Sequence, residues 1–222
     1  MTPVTEKLRS GDLRFAVDCR LLFELGEQLV ARKSVALAEL VKNAYDADAT
    51  RVVITLDNIT KPRGRILVKD NGVGMTLDTI KTTWMRVATG AKDRLPYSER
   101  FRRPRTGAKG IGRFASRRLA TQLVLDSASK RKDGLKEHTS VTFEWDEFKS
   151  GKNIDAIPVR YESRIVRKDV SPGVTLTLKD LRETWEEDDI KELQADLFSL
   201  VSPFSESGDR GRRKDPGFSL KL

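Results

Sequence analysis

The chain has 222 residues, with 42 Lys and Arg against 33 Asp and Glu, a net charge of +9. That length suits one large domain or two small ones, and 34% charged with 38% hydrophobic residues is globular composition, which excludes a disordered chain. The single Cys19 excludes an intrachain disulfide; with the single His138 it also excludes a His/Cys zinc site and leaves a Ser-His-Asp triad without a supporting motif. No apolar run approaches the roughly 18 residues of a membrane span, and MTPVTEKLRSGDLRF lacks a signal-peptide core, so a soluble cytoplasmic protein with no membrane partner is expected.

In chain order, residues 1–16 lack a strong period and read as an arm. Val17–Lys33 reads as a helix with Leu21, Leu22, Leu25 and Leu29 on one side and Cys19 buried within it. A second helix over Ala36–Tyr45 buries Ala36, Leu37, Leu40, Val41 and Ala44. RVVITLD and RILVKD follow as two short strands, plausibly antiparallel, the second running into Asn-Gly-Val-Gly. Thr76 is placed to cap a helix with Leu77, Ile80 and Trp84 on its apolar face. Between Arg86 and Arg118 the period fails, and eleven Lys and Arg stand against Asp93 and Glu99. Such a long basic loop is read either as a lid or as a solvated segment, leading into a helix near Arg113. Gln122–Ser127, Ser140–Phe148, Val159–Val166 and Gly173–Asp180 read as strands. Thr184-Trp-Glu-Glu187 resembles a capping box opening a helix with Ile190, Leu193, Leu197 and Leu200 or Val201 on its buried stripe, closed by Pro203. The linker-like ESGDRGRRKDPG precedes Phe218–Leu222, a strand pattern expected to begin a following strand or domain of a longer protein.

Three stretches carry the chemistry. In ALAELVKNAYDADAT, Glu39, Asn43 and Asp46 lie at i, i+4 and i+7, a polar line beside the apolar stripe; a solvated helix flank and a functional edge fit equally. VKDNGVGM sets Asp70 at a strand end before Gly72, Gly74 and Met75, glycines that permit close backbone approaches. RTGAKGIGRFAS has Gly107, Gly110 and Gly112 ahead of a helix, a spacing that can cradle an anion. It is neither a Walker A loop nor a Rossmann fingerprint, since no Gly-Lys-Ser/Thr follows and no strand opens it.

Together, AELVKNAYDADAT, KDNGVGM and TGAKGIGRFAS resemble, in order and spacing, the nucleotide-binding boxes of the GHKL superfamily: gyrase B, the ninety-kilodalton heat-shock chaperone, histidine kinases and MutL. GVTLTLKDLRETW resembles the strand that closes its pocket. The resemblance implies an α+β fold of the Bergerat type, a two-layer sandwich of a mixed sheet with helices on one face. It implies an ATP-binding domain over 17–205, a lid at about 86–106, and a linker with the start of a following strand or domain over 206–222. It assigns Mg²⁺ to Asn43, the general base to Glu39 and the adenine amino group to Asp70, with Asp46, Gly72, Gly74 and Met75 around the nucleotide. Thr89 and Lys92 would lie in the lid, and Gly107, Ala108, Lys109, Gly110, Ile111 and Gly112 would hold phosphates. The family often has Gly-Thr on the closing strand; here the pair is Gly173-Val174, and alternation turns Thr175 to the other face.

Within the superfamily, Asn43-Ala-Tyr-Asp46 follows the hydrolase pattern, and no His precedes the boxes as a kinase phosphoacceptor. GAKGIGRFA and the ending SPF…GFSLKL resemble bacterial stand-alone GHKL proteins. The resemblance therefore implies slow Mg²⁺-dependent ATP hydrolysis coupled to lid closure and to an ATP-dependent homodimer of the full-length protein. A histidine-kinase-type catalytic domain and an ATP-sensing interaction module without turnover are the alternatives. The +9 charge also admits DNA as a partner.

Overall fold

The computed structural model describes residues 16–24, 32–87, 96–106, 112–166, 170–201 and 215–222. Its frame is a seven-stranded sheet made of β1 (Arg51–Asp57), β2 (Arg65–Asp70), β3 (Ala120–Lys130), β4 (Lys136–Glu144), β5 (Arg160–Val166), β6 (Gly173–Leu181) and β7 (Ser219–Lys221). The spatial order is β5-β4-β3-β6-β2-β1-β7, and every pairing is antiparallel except that of β7 with β1. The helices are α1 (Arg20–Phe23), α2 (Lys33–Asp46), α3 (Leu77–Thr79), α4 (Ala115–Leu119) and α5 (Glu187–Val201). Among them α2 packs on α5, α4 and β2, and α4 on β3 and β6, which gives the expected two-layer α+β sandwich.

The strands form because their apolar residues alternate with a period of two. Val52 and Ile54 of β1, Ile66 and Val68 of β2, Leu123 and Leu125 of β3, and Val174, Leu176 and Leu178 of β6 are all buried beneath the helices. Farther along the same inward rows the residue type changes. β2 ends on Asp70, β3 continues as Ser127 and Ser129, and β4 runs from Phe143 and Val141 to Thr139 and Glu137. The register places Val174 beside Ser127, Ser127 beside Thr139, and Ser129 beside Glu137. One end of the inward face is therefore a hydrocarbon core and the other a band of polar groups.

Helix α2 begins at Lys33, three residues before the expected start, because Lys33 is tied to the next layer. Its Nζ donates to the Thr184 carbonyl and to Asp189 Oδ2, both at 2.7 Å, and lies over the buried Trp185 ring. The same contacts move the start of α5. Thr184 does not cap it; the helix begins at Glu187, and Asp189 Oδ2 reaches back to the Glu186 amide at 2.8 Å. The α5 stripe is seated through Leu193 and Leu197, while Pro203 lies outside the described residues.

Three further expectations change. Of Val17–Lys33, Arg20–Phe23 is described as helix and Lys33 opens α2; Asp18 bridges Asn153, and residues 25–31 lie outside the described set, as does the expected 1–15 part of the arm. The helix capped by Thr76 is one turn of α3, widening into a π turn over Ile80–Trp84. Strand β4 stops at Glu144, since Trp145 turns inward to stack on Phe143 at 5.2 Å and meet Phe148 at 5.5 Å. Within the strand pattern Phe218–Leu222, residues 219–221 form β7 and pair in parallel with Arg51–Val53 of β1.

Leu178 is fully buried between Ile66 and Leu123 in adjoining strands. Replacing it with alanine leaves a cavity at mid-sheet, and Leu178→Ala is expected to lose about 2–5 kcal/mol of unfolding free energy, read as a lowered urea midpoint with an unchanged slope.

Candidate functional site

A cavity of about 1650 Å³ opens over the polar end of the sheet, between α2, the loop after β2 and the stretch leading into α4. It exceeds the roughly 300–1,000 Å³ of a pocket for a small ligand. Glu39, Asn43, Asp46, Asp70, Gly72, Gly74, Met75 and Gly112 all line it, so the sequence brings these expected positions together from three separate stretches. Thr89, Lys92, Gly107, Ala108, Lys109, Gly110 and Ile111 lie outside the described residues.

At the cavity floor, Asp70 is half-buried. Its Oδ1 accepts the Gly72 amide at 2.8 Å and the Val174 amide at 3.2 Å, and Oδ2 has no protein partner among the described residues. Burial raises its carboxyl to about 6, against the opposing pull of the two amides. A carboxylate with one oxygen fixed by backbone and the other turned to a cavity is an acceptor ready for a donor on a ligand. Val174, Leu176 and Met75 supply apolar wall around it. Val174 thus contributes its amide, while Thr175 pairs across to Lys69 and Asp126 and points to the other face.

The loop from Asn71 to Thr76 is held in place by the polar band of the sheet. Ser127 Oγ accepts the Met75 amide at 2.7 Å and donates to the Met75 carbonyl at 2.9 Å, and Ser129 Oγ donates to the Val73 carbonyl at 3.0 Å. At Gly74, with φ of 66°, a Cβ would collide with the Ala128 carbonyl oxygen, so only glycine passes this point. Glu137 holds the next turn, accepting the Leu77 amide at 2.6 Å together with the hydroxyls of Thr139 and Ser163. Burial by itself would raise Glu137; the Leu77 amide, the two hydroxyls and Arg131 outweigh it and hold the carboxyl below its usual range. Ser127, Ser129 and Glu137 are site supports that the sequence reading missed. Their signal was present as polar residues at inward positions of otherwise apolar alternations.

The other wall is the polar edge of α2. Glu39 and Asn43 stand one turn apart, half-exposed, and Glu39 Oε1 pairs with Lys42 Nζ at 2.8 Å. Gly112 passes directly over them: a Cβ there would come within 3.1 Å of Glu39 Oε2 and 3.7 Å of Asn43 Nδ2. The end of the glycine-rich stretch therefore closes on the carboxylate and the amide. The Asn43 side chain makes no hydrogen bond among the described residues. Asp46 is buried at the cavity wall, and its Oδ1 accepts the amide and hydroxyl of Thr106 at 2.9 and 3.1 Å. Arg100, Arg105 and Arg113 add positive charge to the lining, and burial lowers Arg113 to about 10.

As a metal site the edge is sparse. Among the described residues no three His, Cys, Asp or Glu side chains converge. A single amide oxygen at Asn43 suits a hard cation that takes most of its ligands from water and phosphate, which is the habit of Mg²⁺.

A family model described as histidine kinase-, DNA gyrase B- and HSP90-like ATPase matches residues 31–171. Comparison with curated proteins gave no match. The matched span is more than half of the chain and contains α2, the loop after β2 and Gly112; the chain belongs to the histidine kinase-, DNA gyrase B- and HSP90-like ATPase family.

Proposed function

We propose that the chain binds ATP with Mg²⁺ and hydrolyses it slowly. The observation that carries this reading is the placement of Gly112 over Glu39 and Asn43 at the opposite wall from Asp70, which supports a base-binding end and a phosphate-binding end in one cavity.

At the floor, Asp70 Oδ2 accepts the exocyclic amine of adenine; guanine presents a carbonyl at that position and is repelled by the carboxylate. Met75, Val174 and Leu176 cover the base. At the mouth, the Asn43 amide oxygen holds Mg²⁺, which when bound neutralises charge on the phosphate oxygens. Glu39, one helical turn away, takes the proton of the attacking water, a contribution of roughly 10²–10⁴-fold for a placed general base. Arg105 and Arg113 attract the triphosphate. The described part of the lid, 96–106, borders this end. ATP-dependent lid closure and homodimer formation in the full-length protein complete the proposal, and the long basic loop beside the cavity supports them.

One observation favours a second reading, an ATP sensor without turnover. Lys42 occupies Glu39 Oε1 at 2.8 Å, so this oxygen is already engaged before any water arrives.

Glu39→Gln decides between them. In an assay of phosphate release under saturating ATP, the substitution is expected to lower turnover by roughly 10²–10⁴-fold while calorimetric ATP affinity stays near wild type. Equal and negligible rates for both proteins would select the sensor.

Asp70→Asn tests the base-binding end. An asparagine Oδ1 keeps the Gly72 and Val174 amides, but its Nδ2 meets the adenine amine donor to donor, so ATP affinity falls. Stability moves the other way. Because the folded carboxyl titrates near 6 against 3.8 unfolded, its contribution is fully present below about 3.8 and is lost as pH rises through about 6, a difference on the order of 2–3 kcal/mol. The ligand-free variant is therefore expected to melt higher than wild type at pH 7 and to lose the decline between pH 4 and 6. A variant that melts higher yet binds ATP unchanged would remove Asp70 from the site.

A further inference from the structure

Residues 96–106 fold into a small antiparallel arm beside the cavity. The Arg105 amide donates to the Pro96 carbonyl at 2.9 Å, the Ser98 amide to the Arg103 carbonyl at 2.9 Å, and the Arg103 amide to Ser98 Oγ at 2.9 Å. Two aspartates at the exit of α2 fasten it. Buried Asp48, at φ of 60°, accepts the Arg100 and Phe101 amides at 2.7 and 3.1 Å at the tip, and Asp46 accepts Thr106 at the root.

Arg103 makes a third fastening that reaches a distant part of the chain. Its guanidinium is buried and forks onto Asp215, with Nε to Oδ2 at 2.7 Å and Nη2 to Oδ1 at 2.6 Å; Nη2 also donates to the Gly217 carbonyl at 3.0 Å, and Nη1 to the Ala49 carbonyl. The rings of Tyr45, Phe101 and Phe218 surround it at 4.7, 5.0 and 5.9 Å. The Arg103 hydrogen bonds hold the Asp215 carboxyl below its usual range. Burying an ion pair repays its desolvation only with such saturation, and a planar fork is needed to achieve it. Phe218 leads directly into β7 on the edge of β1. One side chain thus joins the arm, the end of α2 that carries Asn43 and Asp46, and an edge strand of the sheet.

We propose that Arg103 and Asp215 are a positioning pair for the nucleotide site, through which occupancy of the cavity and docking of β7 on β1 are linked. The pair holds the arm where Thr106 meets Asp46 and Arg105 faces the cavity. Without it, a ligand that needs the arm in place must supply the cost of ordering it, and affinity drops by the fraction of competent molecules. Linkage is reciprocal: the bound ligand stabilises β7 on β1 by the same factor. A staple that served folding alone would secure β7 and leave affinity in the folded protein untouched.

This inference rests on the ATP reading above, and the test separates the two. The full chain is titrated with Mg²⁺-ATP by calorimetry, and amide exchange is followed at residues 219–221. In the wild type, ATP is expected to slow exchange at Ser219–Lys221. Asp215→Asn and Arg103→Lys are each expected to weaken ATP binding roughly tenfold, with no further loss in the double variant, and to abolish the ATP effect on β7. Wild-type affinity in both single variants, alongside faster exchange at β7, would reduce the pair to a staple and overturn the proposal. Should the variants not fold, wild type decides alone: ATP that binds without changing exchange at 219–221 overturns the linkage. A wild-type chain that binds no ATP overturns the ATP reading and the linkage together.

Discussion

The structure turns on the burial of one carboxylate. Asp70 sits at the end of β2 where the inward row should continue as hydrocarbon, and an ionised group there is tolerated only because the Gly72 and Val174 amides converge on Oδ1. Bringing those amides to it fixes much of the neighbourhood. The chain must turn sharply after Asn71, pass Ala128 at Gly74, and allow β6 to begin beside β2. Asn71 secures the turn from the other side, its Oδ1 accepting the Thr50 and Arg51 amides at 2.9 and 2.8 Å. Two hydrogen bonds do not fully offset the burial, which is why the carboxyl remains raised. A charge kept at a cost in stability, facing a cavity, is the kind of local conflict that marks a site.

The opposite wall follows a different logic. Glu39 and Asn43 remain half-exposed on α2 and add little to the fold; the apolar stripe Ala36, Leu37, Leu40, Val41 and Ala44 already seats the helix. Their importance comes from what approaches them. Gly112 arrives so close to Glu39 Oε2 that any side chain there would press on the carboxylate. The floor offers a hydrogen-bond acceptor among apolar walls, and the mouth gathers charged and amide side chains in a more open place.

Much of this was legible in the sequence, for physical reasons that also explain the exceptions. Local periodicity sets β1, β2, β6 and α2, because each buries one face against a single neighbour, and the three stretches with the chemistry lie on or beside those elements. Where several elements compete for one residue, local signals mislead. Thr184 has the look of a cap, but Lys33 claims its carbonyl and Trp185 is buried, so α5 starts later. Trp145 continues the inward alternation of Val141 and Phe143, yet it stacks on Phe143 and meets Phe148, which is out of phase with that row, and the strand ends at Glu144. Arg103 was unreadable from its surroundings, one of eleven basic residues in a loop, since its partner Asp215 lies 112 positions away.

Three aspartates near the exit of α2 differ only in what reaches them. Asp46 receives an amide and a hydroxyl from Thr106, Asp48 two consecutive amides at the arm tip, and Asp215 a guanidinium. Backbone amides can be drawn to a carboxylate from any loop, so Asp48 holds the arm through main chain alone and Asp46 through the Thr106 amide and hydroxyl. The Arg103 fork has a fixed plane, and it tolerates burial only while Tyr45, Phe101 and Phe218 keep water out and Ala49 and Gly217 take its remaining donors. Loss of any one of those contacts leaves a buried charge incompletely satisfied, which costs far more than the contact itself. A guanidinium satisfied on every side in this way ties a cavity wall to a sheet edge through a single side chain.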